Sequence, residues 1–273
     1  MIWSPKLCLW PQRLTNNMNI HPTAIIDKQV ELEEGVSVGP YTIIRGKVVI
    51  GQDTKIASNV LIDDGTIIGK NCSIHHGAVL GTPPQDLKFS GERTILRLGD
   101  NNVIREYVCV NRGTKHRGET TLGNNCFLMM YSHIAHDCIV GDNVIMANSV
   151  NLGGHVEIED YAILGGIVPV HQFVHIGRHS IVGGGFRAVQ DICPYALAGG
   201  YPLRIVGVNK IGLKRRGFPQ KTIDILAKAF KILFHSKFNT SQAIEKIKSD
   251  LEPIPEIKHI LDFIARSERG IVK

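Results

Sequence analysis

His133, His136 and Asp137 stand close together in the stretch His133-Ile134-Ala135-His136-Asp137-Cys138, with His155, His171 and Gln172 further along. Histidine titrates near neutrality and can take a proton from a hydroxyl, and a neighbouring carboxylate can fix its ring. Three histidines at an open position would equally suit zinc. Both chemistries stay open at this point. With 12 histidines in 273 residues, some clustering is expected, so what matters is whether the chain brings these particular ones together.

A repeat supplies that positioning. Every sixth residue from Ile20 is aliphatic: Ile20, Ile26, Leu32, Val38, Ile44, Ile50, Ile56, Ile62, Ile68, Ile74 and Leu80. The series resumes in phase with Leu98, Ile104 and Val110, and again from Leu122 through Leu128, Ile134, Val140, Met146, Leu152, Ile158, Leu164, Val170, Ile176 and Val182 to Ala188. The misses, Asp86, Glu92 and His116, mark two insertions near 82–97 and 111–121. Period six fits neither a helix nor a plain strand. It signals a parallel β-helix wound as a triangular prism, with roughly 18 residues per coil. Four residues after each aliphatic comes a small or β-branched one (Ala24, Val30, Val36, Thr42, Val48, Thr54) that suits a tight interior corner. Coils stacked about 4.8 Å apart make a rod on the order of 45 Å.

Residues one coil apart stack on one edge. His136 therefore lies under Gly154 and Gly154 under Gln172, with His133, His155 and His171 beside this ladder. Asp137 follows His136 directly, and strand neighbours point to opposite faces. Only a corner relaxes that rule. Otherwise Asp86, in the first insertion, is the candidate acid, and Asp137 caps a turn. Gly153-Gly154 and Gly183-Gly184-Gly185 read as tight corners or as places where a free N–H meets an oxyanion. The second insertion, Arg112 to Gly118, is polar and basic and receives no role.

Beyond about residue 195 the six-beat ends. Pro219 opens a helix with Ile223, Leu226, Ala227, Phe230, Leu233 and Phe234 on one face. A second spans 240–251, capped by Thr240 or Ser241, with Ile244, Ile247 and Leu251 inward. A third runs over 255–268 with Ile257, Ile260, Leu261 and Ile264. The expected division is 1–17, an extension ahead of Met18 as the natural start; 18–200, the β-helix; and 201–273, a small C-terminal α-helical domain. The segment Gly207–Gly217 joins the two, and Arg215 and Arg216 can fork onto phosphate oxygens.

Composition narrows the partners. The net charge of +6 favours acidic ones. Six scattered cysteines with no C-x-x-C argue against a disulfide framework and for a reducing cytoplasm. Cys72, Cys126 and Cys138 fall on the small-residue phase and read as buried. No apolar run is long enough to span a bilayer.

Several segments together resemble the acyl-[acyl-carrier-protein]–UDP-N-acetylglucosamine O-acyltransferases, over about residues 19–273. They are Asn19–Ile25, Gln85-Asp86-Leu87-Lys88, His133–Asp137, Val170-His171-Gln172-Phe173, Gly207-Val208-Asn209, Gly212–Phe218 and Phe263–Ser267. The resemblance implies a left-handed prism and a homotrimer with active sites between prisms. It implies transfer of a 3-hydroxyacyl chain from acyl carrier protein to the 3-hydroxyl of UDP-N-acetylglucosamine, the first step of lipid A synthesis. The catalytic residues it implies are His136 as general base, Asp137 assisting, and the Gly154 N–H as oxyanion donor. Asp86, Lys88, His133, His155, His171, Gln172, Asn209, Arg215 and Arg216 match positions lining the substrate site, and Gly184 one that limits the acyl groove. No metal or cofactor is implied beyond the phosphopantetheine that the donor carries, and neither nucleic acid nor integral membrane association. Lys210, Lys214, Arg215, Arg216, Lys221, Lys228 and Lys231 form the candidate patch for the acidic carrier. Ile211 departs from the pattern, standing where an acidic residue is expected. The competing readings are a zinc enzyme of the γ-carbonic anhydrase kind, a later N-acyltransferase of the same pathway, and a non-catalytic scaffold.

Overall fold

A computed structural model describes residues 19–273; the extension 1–17 and Met18 lie outside the described residues. The hexad becomes a two-residue strand and a four-residue corner. Asn19–Ile20, Ile25–Ile26 and Glu31–Leu32 begin the first, second and third faces of a prism. The faces are sheets of 11, 8 and 8 strands. Stacking is parallel and in register, with His133 paired to Asn151 and Asn151 to Pro169, 18 residues on. The winding is left-handed, as the resemblance implies.

The aliphatic series forms the column inside. Ile44, Ile50, Ile62, Leu80, Ile104, Leu128, Ile134, Met146 and Leu164 are fully buried. Each contributes roughly 1.5–3 kcal/mol of apolar burial before chain entropy is subtracted. The corner series is equally enclosed, and its threonines resolve their own polarity. The Thr42 hydroxyl donates to the Ala57 carbonyl at 2.8 Å and accepts the Val60 N–H at 3.2 Å, so it stitches neighbouring coils. Cys72, Cys126 and Cys138 are free and buried, and burial pushes the Cys126 and Cys138 thiols up to about 12.

Most corners contain one residue in the left-handed backbone region, among them Asp137 (φ 59°), His155 (φ 62°) and Phe173 (φ 63°). Such a conformation is costly for residues other than glycine, and here it turns the chain from the second face to the third. Both insertions leave the prism along that same edge. The first joins Val79–Thr82 to Ile95–Leu98, and the second joins Cys109–Asn111 to Glu119–Leu122. The second insertion thus replaces the corner one coil before Asp137.

The far end departs from the expected boundary at residue 200, which falls inside a hairpin. Ala196–Gly199 pairs antiparallel with Arg204–Val208 on the first face. The joining segment is itself a short helix, α1 (Lys210–Arg215), capped by Asn209. The helices α2 (Gln220–Phe234), α3 (Thr240–Asp250) and α4 (Pro255–Arg266) follow. The α3 cap is Asn239, not Thr240 or Ser241: its side chain accepts the Gln242 N–H at 2.9 Å while Gln242 reaches back to the Asn239 N–H, a reciprocal capping box. Buried Ile223, Leu226, Phe230, Ile247, Ile257, Ile260 and Phe263 form the helical core. Glu159 ties α4 to the prism through His259, at 3.0 Å, and through Arg266. No helix among the described residues is long and apolar enough to cross a membrane.

Candidate active site

The left-handed turn at Asp137 brings two sequence neighbours onto the same side. Asp137 Oδ2 lies 2.8 Å from His136 Nδ1, so the orienting acid is Asp137. Asp86 instead sits in the first insertion, where it accepts the Lys88 N–H at 3.0 Å. Asp137 is completely buried. Its Oδ1 accepts the Thr114 N–H at 3.0 Å and its Oδ2 the Thr114 hydroxyl at 2.7 Å. Burial pushes the carboxyl up, but the hydrogen bonds from His136 and Thr114 outweigh it and hold the group below the usual carboxylate range. An ionised carboxylate only accepts, so His136 Nδ1 carries the proton and the neutral ring keeps its lone pair at Nε2. The side chain of His136 is 14 % exposed, which leaves that nitrogen a route to a ligand.

Gly154 occupies the corner directly over this ring. A methyl at its Cα would lie 2.6 Å from His136 Cε1 and 2.8 Å from Nε2, so only glycine leaves the imidazole in place. The coil-to-coil ladder uses the N–H groups of Gly153 and His155 on either side, but not that of Gly154. A bare donor therefore stands beside a base.

His155 completes the cluster. Its ring stacks on Phe173 at 4.4 Å and meets His136 and His116 edge-on at 5.2 and 4.8 Å. Burial outweighs the pull of Asp137, 3.7 Å away, and lowers its pKa, and burial lowers that of His133 too. Both are thereby biased to the neutral form. His136, Asp137 and His155 offer ligand atoms within 4.8 Å of one another, as a metal would require. The donor set is poorly suited to one, because Asp137 Oδ2 is already engaged by a hydroxyl and by the His136 N–H.

The remaining expected residues divide between two places. Asp86, Lys88, His171 and Gln172 share the edge of His136, and His133 flanks it on the second face. His171 Nδ1 lies 3.1 Å from the Gln172 carbonyl, and Gln172 is exposed. Asn209, Arg215 and Arg216 instead border a cavity of about 620 Å3 over the first face, walled by Ile163, Ile181, Leu197, Val208 and Ile211. Asn209 lines this cavity at 4 % exposure: its oxygen accepts the Gly212 N–H at 3.0 Å, and its amide donates to the His179 carbonyl at 2.9 Å. Arg216 donates to the Tyr161 carbonyl at 3.0 Å and lies over the Tyr161 ring, but its Nη1 is buried without a partner. Ile211 is 69 % exposed at this cavity and brings no carboxylate to it. Gly184 belongs to the edge between the first and second faces, against Gly166, where a methyl would meet the Gly166 carbonyl oxygen at 3.1 Å. In one chain these groups do not meet His136.

Two residues escaped the sequence reading. Thr114 grips both oxygens of Asp137, and the Thr120 hydroxyl accepts the Asp137 N–H at 2.8 Å. The signal was the register, since the insertion that received no role sits at the corner directly beneath the histidine.

Family comparisons agree with this geometry. The family model described as UDP N-acetylglucosamine O-acyltransferase, domain 2, matches residues 191–272, and the bacterial transferase hexapeptide repeat matches 47–82 and 119–154. The acyl-[acyl-carrier-protein]–UDP-N-acetylglucosamine O-acyltransferase of Thermodesulfovibrio yellowstonii is 47 % identical, covering 93 % of this chain and 99 % of its own. That of Aliivibrio salmonicida is 50 % identical, over 93 % and 97 %. Among solved structures, LpxA from Acinetobacter baumannii superposes with a TM-score of 0.90 at 43 % identity, covering 93 % of this chain and 99 % of that one. LpxA of Bacteroides fragilis, a UDP-N-acetylglucosamine acyltransferase, gives 0.91 at 42 % identity over the same shares. These relatives carry neither the zinc reading nor the N-acyltransferase one. The chain belongs to the acyl-[acyl-carrier-protein]–UDP-N-acetylglucosamine O-acyltransferase family.

Proposed function

We propose that the protein transfers a 3-hydroxyacyl chain from acyl carrier protein to the 3-hydroxyl of UDP-N-acetylglucosamine, the first step of lipid A biosynthesis. The observation that carries the reading is the His136–Asp137 pair at 2.8 Å under the unused N–H of Gly154. His136 Nε2 removes the proton of the sugar hydroxyl as its oxygen attacks the thioester carbonyl. The new C–O bond leaves a tetrahedral oxyanion, which the Gly154 N–H stabilises by about 3–4 kcal/mol. Collapse of that intermediate breaks the C–S bond, and the imidazolium returns its proton to the departing thiolate. Asp137 holds the ring in the tautomer that this sequence needs and balances the transient imidazolium. A thioester already has a good leaving group, so the reading calls for no metal and no cofactor beyond the donor's own phosphopantetheine.

The working unit of this reading is a homotrimer. His136 stands on one edge of the prism, while Gly184 and the cavity of Arg215 and Arg216 stand elsewhere, so a second copy is what unites base, acyl groove and phosphate-binding cations. Exposed Tyr107, Tyr131 and Ile167, in the corners between the first and second faces, supply apolar surface for such packing. Lys210, Lys214, Arg215, Lys228 and Lys231 are exposed on the helical end and would steer an acidic carrier; Lys221 is paired with Glu252 at 2.7 Å. The buried free thiols fit a cytoplasmic setting.

Turnover of His136→Ala with acyl carrier protein thioester and UDP-N-acetylglucosamine, read by product mass, tests the reading. A fall of at least about 10²–10⁴ is expected. Near-wild-type turnover removes the mechanism.

A further inference from the structure

We infer that Thr114 is a positioning residue for this reaction: through Asp137 it sets the ring of His136, so that the second insertion is part of the catalytic apparatus. The inference rests on the reading of His136 as the base.

Asp137 has no exposed surface, and neither of its oxygens is left to choose its own direction. Thr114 itself is 6 % exposed and takes the carboxylate at two points, N–H to Oδ1 at 3.0 Å and hydroxyl to Oδ2 at 2.7 Å. A two-point grip fixes the plane of the carboxylate as well as its place. The Thr120 hydroxyl, accepting the Asp137 N–H, fixes the backbone beneath it. His136 Nδ1, at 2.8 Å, is the ring nitrogen that hydrogen-bonds the carboxylate so directed, with His155 Nε2 3.7 Å from the same oxygen. The hydroxyl also accepts the His116 N–H at 3.2 Å. The insertion thus presents His116 to His155, and His155 to His136, in the edge-on chain already described.

A residue that merely held the loop down would look different. The insertion has its own tethers: Arg117 to Glu157 at 2.7 Å, Gly118 N–H to the Thr114 carbonyl at 2.8 Å, Gly113 N–H to the Ile95 carbonyl at 3.2 Å, and Lys115 N–H to Glu92 at 3.3 Å. None of these uses the Thr114 hydroxyl, which takes part in one loop contact only, as acceptor of the His116 N–H. Its own proton goes to the one carboxylate that touches the base.

Two titratable groups face Asp137, His136 and His155, with His116 and Arg117 behind them. Removing the hydroxyl takes away one of the donors that oppose the effect of burial on Asp137. The carboxyl then moves up, protonates at higher pH, and ceases to hold the His136 N–H there.

Thr114→Val, Thr114→Ala and Thr114→Ser, in the assembled full-length enzyme, are compared with wild type and His136→Ala. Thr114→Val should lower kcat roughly ten- to a hundredfold with KM for the nucleotide sugar unchanged. The acid limb of its pH profile should move to higher pH, and Thr114→Ser should restore most of the rate. A folded Thr114→Val with wild-type kcat and limb overturns the inference. A loss shared between kcat and KM with the limb in place does so too. Failure of both Val and Ala variants to fold makes the residue structural and also overturns it. If His136→Ala is inactive while Thr114→Val is normal, only this inference fails; if His136→Ala is active, the parent reading fails.

Discussion

Replacing Asp137 by asparagine alters one atom in a completely buried place, and the surroundings dictate how the amide must sit. Asp137 Oδ1 accepts the Thr114 N–H, which is fixed backbone. An NH2 placed there would oppose donor to donor and orphan a buried N–H, at a cost of about 1–3 kcal/mol. The NH2 therefore takes the Oδ2 place, where the Thr114 hydroxyl can turn round to accept it and where it points at His136 Nδ1. His136 must then accept at Nδ1, and its proton moves to Nε2. The base has lost its lone pair on the side facing the substrate. A wrong tautomer of this kind costs on the order of 10⁴ in kcat in a serine protease triad, or about 5.5 kcal/mol of barrier. The fold loses only the charge-assisted share of the hydrogen bonds, about 1.5–3 kcal/mol. Product mass gives kcat, and calorimetry gives the stability of the same preparation. Because Asp137 has a folded-state pKa below its unfolded one, its contribution is fully present above about pH 4 and disappears as pH falls through the lower folded value. The stability gap between wild type and variant should therefore close on acidification. A folded Asp137→Asn enzyme with near-wild-type kcat would refute the tautomer argument, and so would a gap that widens in acid.

Two other substitutions probe neighbouring parts. Gly154→Ala sets a methyl 2.6 Å from His136 Cε1. The ring can yield more readily than the coil, so kcat should fall at least tenfold with little change in unfolding temperature, and an unaltered kcat would show that the imidazole has room the geometry denies it. Glu159→Gln removes the charge facing His259 and Arg266 where α4 meets the prism. Burial pushes the Glu159 carboxyl up, but bonding to His259, the Arg178 N–H and Arg266 holds it below its usual range, so its stabilisation is present above about pH 4.3 and fades as pH drops through the folded value. Hydrogen exchange at neutral pH should show faster opening of α4, by about 1.5–3 kcal/mol, with the coils around Ile134 unchanged; uniform acceleration would contradict the local clamp.

The prism was legible because its cause is periodic. One aliphatic in six, kept in phase across two insertions, can be satisfied only by a coil that returns to the same interior position, and Ile44, Ile62, Leu80, Ile134 and Leu164 fill that column. The stack of Gly154 over His136 came from the same count. The hairpin at Ala196–Val208 and the helix α1 did not, because they are set by local pairing and by one cap, Asn209, after the period has stopped. Asn239 was passed over as a cap for a related reason: the capping box depends on Gln242 reaching back, and Thr240 and Ser241 are equally good capping types by residue identity alone.

The His136–Asp137 contact shows where counting reaches its limit and why. Strand alternation forbids the pair, and the register says only that a corner lies there. What permits it is the backbone of Asp137 at φ 59°, and the conformation alone would leave the carboxylate unaimed. The aim comes from Thr114, on a segment outside the repeat, so no period could predict it. The repeat brings the residues to one edge to within a coil spacing of about 4.8 Å, whereas proton transfer needs hydrogen-bond distance. Closing that difference falls to the insertion. The regular part of this chain therefore carries His136, Asp137 and Gly154 to one edge, and the irregular part, inserted at that edge, gives the carboxylate its direction.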